Sequence, residues 1–499
     1  MIINKTRCVI FIICFLLLIV FYISWSYSKQ FSIEKKIDIK ETFIAKTEYP
    51  PVWDPNDYHL SPDGKRFAYQ AAWYKETFII LDGKKEDHYD DIDVGMGLIF
   101  SPDSKHFAYI AHKFFLDYLV LDNKQIASSK RIYKMIFSPD SKRYAYISSS
   151  GKHWKVTIDG KDEKKYDAII VGPYFSPDSK HVVYSVRNGE KRFIIMDGTV
   201  KSNIYDDIGG IYFSIDSRHT VYKAKDKGKW LIIYDDVAQD AKFDEIGSFI
   251  FSQDSTQLAF IAREGEKWLI EINGKKEIVS HEHIDIHSIM FDPSGKRLNF
   301  KAKEGSKQYI VVNGDAGKKY DKIGLPLASR EAPVFSPDGN HVAYPAQENN
   351  KWVMVVDGRE SKQYDEIECG PFFSLNSKHV AFVAEEWDKN LIEVDSNNEP
   401  WIPEKAIKKF VVVDGKEGKR YDHIGDNCFY TDAPVFSPDS KHFAYAAQEK
   451  DKWIVVTDNV EIQQYDWILR GRLTFNLLDT LHYLAKKGNK IYLVEQKIQ

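Results

Sequence analysis

One phrase recurs along the chain and constrains it more than any other feature. Phe100-Ser-Pro-Asp-Ser-Lys-His-Phe-Ala-Tyr109 is nearly repeated from Phe175 to Tyr184 and from Phe436 to Tyr445. Looser copies start at Leu60, Phe137, Phe213, Phe251, Phe291, Phe335 and Phe373, and a degenerate one at Phe475. The eleven starts are mostly about 38 to 40 residues apart, the period of a propeller blade. A residue present in every unit serves the scaffold, so function is expected where units differ.

One unit shows the local structure. In 331–367, Ala332-Pro-Val-Phe-Ser336 is an apolar run and Pro337-Asp-Gly-Asn340 a turn. His341 to Ala346 alternates with period two, and Lys351-Trp-Val-Met-Val-Val356 is rich in β-branched and aromatic residues. Asp357-Gly358 is a hairpin signal, followed by the more polar Ser361 to Ile367. Four antiparallel strands per unit predict an all-β chain, a β-propeller of about eleven four-stranded blades. Aromatics at 14% agree with strand-rich structure. Rings commonly hold four to eight blades. Two packed rings broken near Glu277 to Ser288 are therefore one architecture, and a single unusually large ring is the other. The last unit supplies only about three strands, and Thr42 to Val52 is the candidate for its fourth.

The phrase resembles the WD40-like repeat of TolB-type bacterial propellers, and is similar to the propellers of prolyl-oligopeptidase and dipeptidyl-peptidase proteins. It covers about residues 50–499 and speaks to fold more than to function. No Gly-x-Ser-x-Gly elbow occurs, and no hydrolase domain follows the last unit. The chain also departs from TolB in having eleven units rather than six. The TolB resemblance implies an envelope protein or peptide as partner.

Residues 8–28 are predicted to form a transmembrane signal anchor, because Cys8 to Tyr27 carries no charge and is long enough to span a bilayer. Lys5 and Arg7 precede it, and Trp25 and Tyr27 stand at its far end. This places 1–7 in the cytoplasm, 29–49 as a linker and possible ring-closing strand, and 50–499 outside the cytoplasm on a single-pass anchor. Cys369 and Cys428 are the only cysteines beyond the span. They either pair or remain two separate thiols. Net charge is −4 without a basic tract, which argues against nucleic acid.

Repeated polar residues read as scaffold. The turn Asp of each unit (Asp103, Asp178 and their equivalents) is expected to accept N–H bonds within its own turn. The His after Lys (His106, His181, His219, His341, His379, His442) occurs once per blade, too widely spaced for one ion. The Tyr of the Tyr-Asp pairs and the third-strand Trp (Trp154, Trp230, Trp268, Trp352, Trp453) are expected between blades. His281, His283 and His287 form the one unit-specific histidine group. No cofactor, metal site or catalytic residue is expected.

Three departures remain: lengthened links at 325–331 and 425–432, and an enlarged loop at 385–409. All three should open on one face of neighbouring blades. They carry the candidate binding residues Trp387, Trp401, Glu385, Glu386 and Asp388 in the loop, with Arg330, Glu331, Asp426, Asn427, Tyr430 and Asp432 in the links. Exposed Trp beside carboxylates suits a protein or peptide partner. The expected function is thus a non-enzymatic, membrane-anchored binding scaffold. The alternative is a hydrolase or lyase acting on a glycan or lactone in the central channel.

Overall fold

In a computed structural model, residues 37–498 are described apart from 50, 52–57, 75, 94–97, 240–241, 279–282, 286, 325–332, 395–399, 426–433, 470–471 and 478. Eleven antiparallel sheets follow one another along the chain, each the blade of a β-propeller. In blade four the innermost strand Ala168–Phe175 pairs with Val182–Asn188, which pairs with Lys191–Met196, which pairs with Thr199–Val200. An outer bridge from Arg192 to Tyr205 extends the fourth strand.

The ring is single and closed. Eleven hydrophobic clusters each lie between two successive blades, and one of them joins the last blade to the first. The core between blades six and seven runs without interruption from Ala259 to Val311. The two-ring arrangement with a boundary near 277–288 is therefore corrected: apolar packing continues from one side of that stretch to the other.

Closure is made by the N-terminal strand Ile37–Lys46, earlier in the chain than the expected Thr42 to Val52. It pairs antiparallel with the last strand, from Ile37 opposite Ile498 to Lys46 opposite Lys490. It stands in for an outermost strand chemically as well as geometrically. Glu360 of blade eight accepts from Lys318 Nζ and Tyr320 O–H of blade seven, and Glu461 accepts in the same way from Lys419 and Tyr421. At the last interface Glu41 takes this place, accepting from Gln463 Nε2 at 2.8 Å and Tyr465 O–H at 3.0 Å. Lys487 Nζ adds bonds to both Glu41 oxygens.

The repeated phrase holds this ring together. Ser101 O–H and the Lys105 N–H both donate to Asp103 Oδ1, as expected of the turn Asp. These bonds hold the Asp103 carboxyl down to about 2. The N–H of Asp103 then reaches the next blade and donates to Ser141 Oγ at 3.0 Å. His106 Nδ1 lies 2.7 Å from Asp122 Oδ2, while Asp122 Oδ1 accepts the Phe107 N–H. The same His–Asp contact recurs at His181, His219, His341, His379 and His442. These histidines fasten two turns of one blade. The Tyr of the Tyr-Asp pairs and the third-strand Trp enter the inter-blade clusters.

The two faces differ in kind. The Ser-Pro-Asp turns and the Asp-Gly hairpins lie on one face, here the tip face. The second-to-third-strand turns and the links between blades lie on the other, the loop face. There the Asp of Tyr-Asp joins blades: Asp206 Oδ2 accepts the Lys227 N–H, and Asp422 Oδ2 the Lys450 N–H. Residues 8–28 lie outside the described residues, among which no helix is long and apolar enough to cross a membrane. Cys369 is buried and disulfide-bonded, and the other three cysteines lie outside the described residues.

Candidate functional site on the loop face of blades nine and ten

Blades eight and ten share a cross-strand row just below the loop face. In blade eight it is Lys322, Gln347 and Trp352, and in blade ten His423, Gln448 and Trp453. Blade nine, between them, has Glu366, Glu385 and Lys409 instead. A bulge after Ile367 adds Glu368. Lys409 Nζ lies 2.5 Å from Glu368 Oε1 and 3.5 Å from Glu385 Oε1. Val383, Val411 and Tyr421 of blade nine pack against Ile424, Tyr445 and Ile454 of blade ten, so this row meets the next blade.

Burial, and then the like charges of Glu385 and Glu368, push the Glu366 carboxyl up to about 7. Burial also raises Glu368, although Lys409 opposes it. Burial alone would lower Lys409, but its two carboxylate partners outweigh that and hold it above the usual range. Because the folded pKa of Glu366 is raised, the stability linked to it is fully present below about pH 4.5 and is lost as pH rises through about 7. Denaturation midpoints measured across this window should therefore fall with pH, and Glu366→Gln should flatten the change.

The enlarged loop is anchored over this row. Its described parts are short 3-10 turns at Lys389–Leu391 and Glu404–Ala406 and a ribbon pairing Glu393–Val394 with Pro400–Trp401. Trp387 is half-buried: its Nε1–H donates to Glu385 Oε2 at 3.0 Å and its N–H to Asp365 Oδ2. Trp387 and the buried Glu385 thus brace the loop from beneath. Asp388 is exposed and caps the first 3-10 turn by accepting the Asn390 N–H. Glu386 is exposed and accepts from Arg420 Nε at 3.1 Å. At the far end Glu404 lies 3.3 Å from His423 of blade ten. Trp401 is the exposed aromatic of the loop, 54% accessible. Arg330, Glu331, Asp426, Asn427, Tyr430 and Asp432 lie outside the described residues.

Sequence reading missed Glu366, Glu368 and Lys409. The signal was present: Lys351-Trp352 and Lys452-Trp453 open the third strands of blades eight and ten, whereas Lys408-Lys409 takes the equivalent positions in blade nine. It also missed a second group on the loop face. The turns of blades one and two carry exposed Trp73, Tyr74, Phe114 and Phe115, where other turns carry polar residues such as Asn349-Asn350. Tyr49 meets Trp73 edge-on at 5.7 Å, so the Trp73 ring is packed on one side.

The unit-specific histidines do not converge. His281 lies outside the described residues, His283 packs on Trp268 at 5.3 Å, and His287 Nδ1 lies 2.9 Å from Ser248 Oγ. No group of three metal-ligating side chains occurs among the described residues.

No family model matches the chain, and no curated protein matches it. Among solved structures it is similar to a eukaryotic initiation factor at 12% identity and TM-score 0.39, covering 66% of this chain and 97% of that one. It is similar to the dihydro-heme d1 dehydrogenase NirN at 12% identity and TM-score 0.30, covering 64% and 78%. TolB from Acinetobacter baumannii gives 15% identity and TM-score 0.26, covering 66% and 97%. At these values the likenesses assign no family, and the chain stands as an eleven-bladed β-propeller.

Proposed function

We propose that this protein is a membrane-anchored, extracytoplasmic binding scaffold that recognises a protein or peptide through its loop face. The observation that carries the reading is the departure of blade nine. Between two blades that share a Gln-Trp row, blade nine places Glu366, Glu385 and Lys409, and the only described loop with its own secondary structure is braced above them, presenting Trp401. Exposed aromatic side chains beside fixed charges are typical anchors for a partner chain. The apolar 8–28 segment supports the anchor, and the disulfide at Cys369 suits an oxidising compartment outside the cytoplasm. The repeated Phe-Ser-Pro-Asp phrase supports kinship with TolB-type propellers.

The test is a pull-down from envelope extracts with the full chain, with a version whose residues 388–405 are replaced by a short turn, and with Trp401→Ala. A partner retained by the full chain and lost by both versions, with unchanged circular dichroism, is the expected result. Identical partners on all three would overturn the assignment of the site. Tyr74→Ser with Phe115→Ser should leave folding unchanged and show whether the partner extends to blades one and two.

A further inference from the structure

The tip face carries an apolar annulus. At the residue after the turn Ser (Asp292 in blade seven, Asn476 in blade eleven), seven units have Pro, from Pro62 in blade one to Pro438 in blade ten. Turn chemistry accounts for those. It does not account for the units without Pro. Ile215, Leu375 and Leu477 take the position in blades five, nine and eleven, at 48%, 66% and 91% exposure. Only blade six has a polar residue, Gln253. Where the turn does not require Pro, an apolar side chain is thus usually kept in the open. Pro337, Leu375, Pro438 and Leu477, of blades eight to eleven, also border a depression of about 820 Å³. Each tip follows the innermost strand of its blade, which places the tips around the channel mouth.

Three residues after the Pro, Lys105, Lys142, Lys180 and Lys441 stand at 75–82% exposure, each within 2.8–3.9 Å of the turn Asp of its own unit. Apolar tips with long cationic side chains around them suit the boundary between acyl chains and headgroups.

The path of the chain points to the occupant. Ile37 pairs with Ile498, whereas Lys46 pairs with Lys490 beside the Gly488-Asn489 turn of the loop face. Ile37 therefore lies at the tip face. Residues 29–36 separate it from the apolar 8–28 segment and span at most about 28 Å. The closing strand is itself about 33 Å long, so this tether does not carry the anchor round to the loop face. The tips of blade eleven are three strand spacings inward, about 15 Å, well within reach.

Resting on the anchor reading above, we propose that the tip face docks onto the surface of the phospholipid bilayer, seating the apolar annulus and channel mouth at the headgroup level. The loop face, with the blade-nine site, then points away from the membrane. Single Leu or Pro side chains bind a bilayer weakly. Tethering through 29–36 raises their effective concentration at the surface.

The experiment uses the full chain, with Cys8→Ser and Cys14→Ser, in phosphatidylcholine–phosphatidylglycerol vesicles containing a headgroup-level doxyl lipid. A fluorophore is placed at Leu477→Cys or, on the loop face, at Tyr74→Cys, and labelling of the parent chain is subtracted. Emission at 477 should fall about twofold or more and that at 74 should not change. Ile215→Asp with Leu375→Asp should abolish the quenching at 477 while the chain still floats with the vesicles. Flotation without quenching at 477, or quenching indifferent to the two Asp residues, would overturn the docking face and leave the anchor standing. A chain that does not float would overturn the anchor, and docking with it.

Discussion

A chain lacking residues 1–46 is expected to lose on the order of 5 kcal/mol of stability and to unfold less cooperatively in urea, because the ring no longer closes. The deleted strand supplies nine paired positions against the last strand and the side chain of Ala45 to the core between blades eleven and one. A narrower substitution isolates one contact within that effect. Glu41→Ala removes the acceptor shared by Lys487, Gln463 and Tyr465. It should cost about 2 kcal/mol, since the Tyr465 hydroxyl is left without its carboxylate in a buried setting. Lys40→Ala is the control. Its ion pair with Glu495 is exposed and should contribute no more than about 0.5 kcal/mol. Equal losses at positions 40 and 41 would show that the closing strand acts through its backbone alone.

Lys409→Met is expected to destabilise the protein by about 3 kcal/mol, because it leaves Glu368 and Glu385 facing each other without a cation. The repeat itself supplies the compensating variant. Glu366→Lys, Glu385→Gln and Lys409→Trp together copy the row of blade eight, Lys322-Gln347-Trp352. The triple variant should recover most of the stability lost by Lys409→Met. It should nevertheless lose partner binding if the charged row contributes to recognition. Urea midpoints and the pull-down separate the two outcomes. A triple variant that is stable and still binds would assign recognition to Trp401 and the loop, with the charged row as support.

The wild-type row also predicts how binding changes with pH. Glu366 ionises as pH rises through about 7, adding a negative charge beside Glu385. A cationic partner segment should then bind more tightly at pH 8 than at pH 6, and Glu366→Gln should remove the difference.

The repeat made blade number, strand order, the Asp of the Pro-Asp turns and the inter-blade Tyr legible in the sequence, and marked the single histidines as scaffold without showing their Asp partners. Each is a local or nearest-neighbour interaction, so it repeats wherever its residues repeat. His106 finds Asp122 across one hairpin, and Asp103 finds Ser141 one unit away. Trp387 shows the limit of that reading. Composition marked it as a binding residue beside Glu385, yet register places the two in one hydrogen-bonded brace. The quartet Glu366, Glu368, Glu385 and Lys409 draws on three strands separated by an insertion, and only their pairing brings the charges together.

What the sequence alone determined was the blade and its copy number, because each blade is specified by contacts within about forty residues. What only the tertiary structure decided was that eleven blades close into one ring through Ile37–Lys46, that the loop and tip faces are chemically different, and that blade nine gathers buried charge. Ring closure depends on contacts between residues hundreds of positions apart, such as Glu41 with Lys487. A local pattern cannot encode such separations, because the accumulated rotation from blade to blade sets where the two ends of the chain meet.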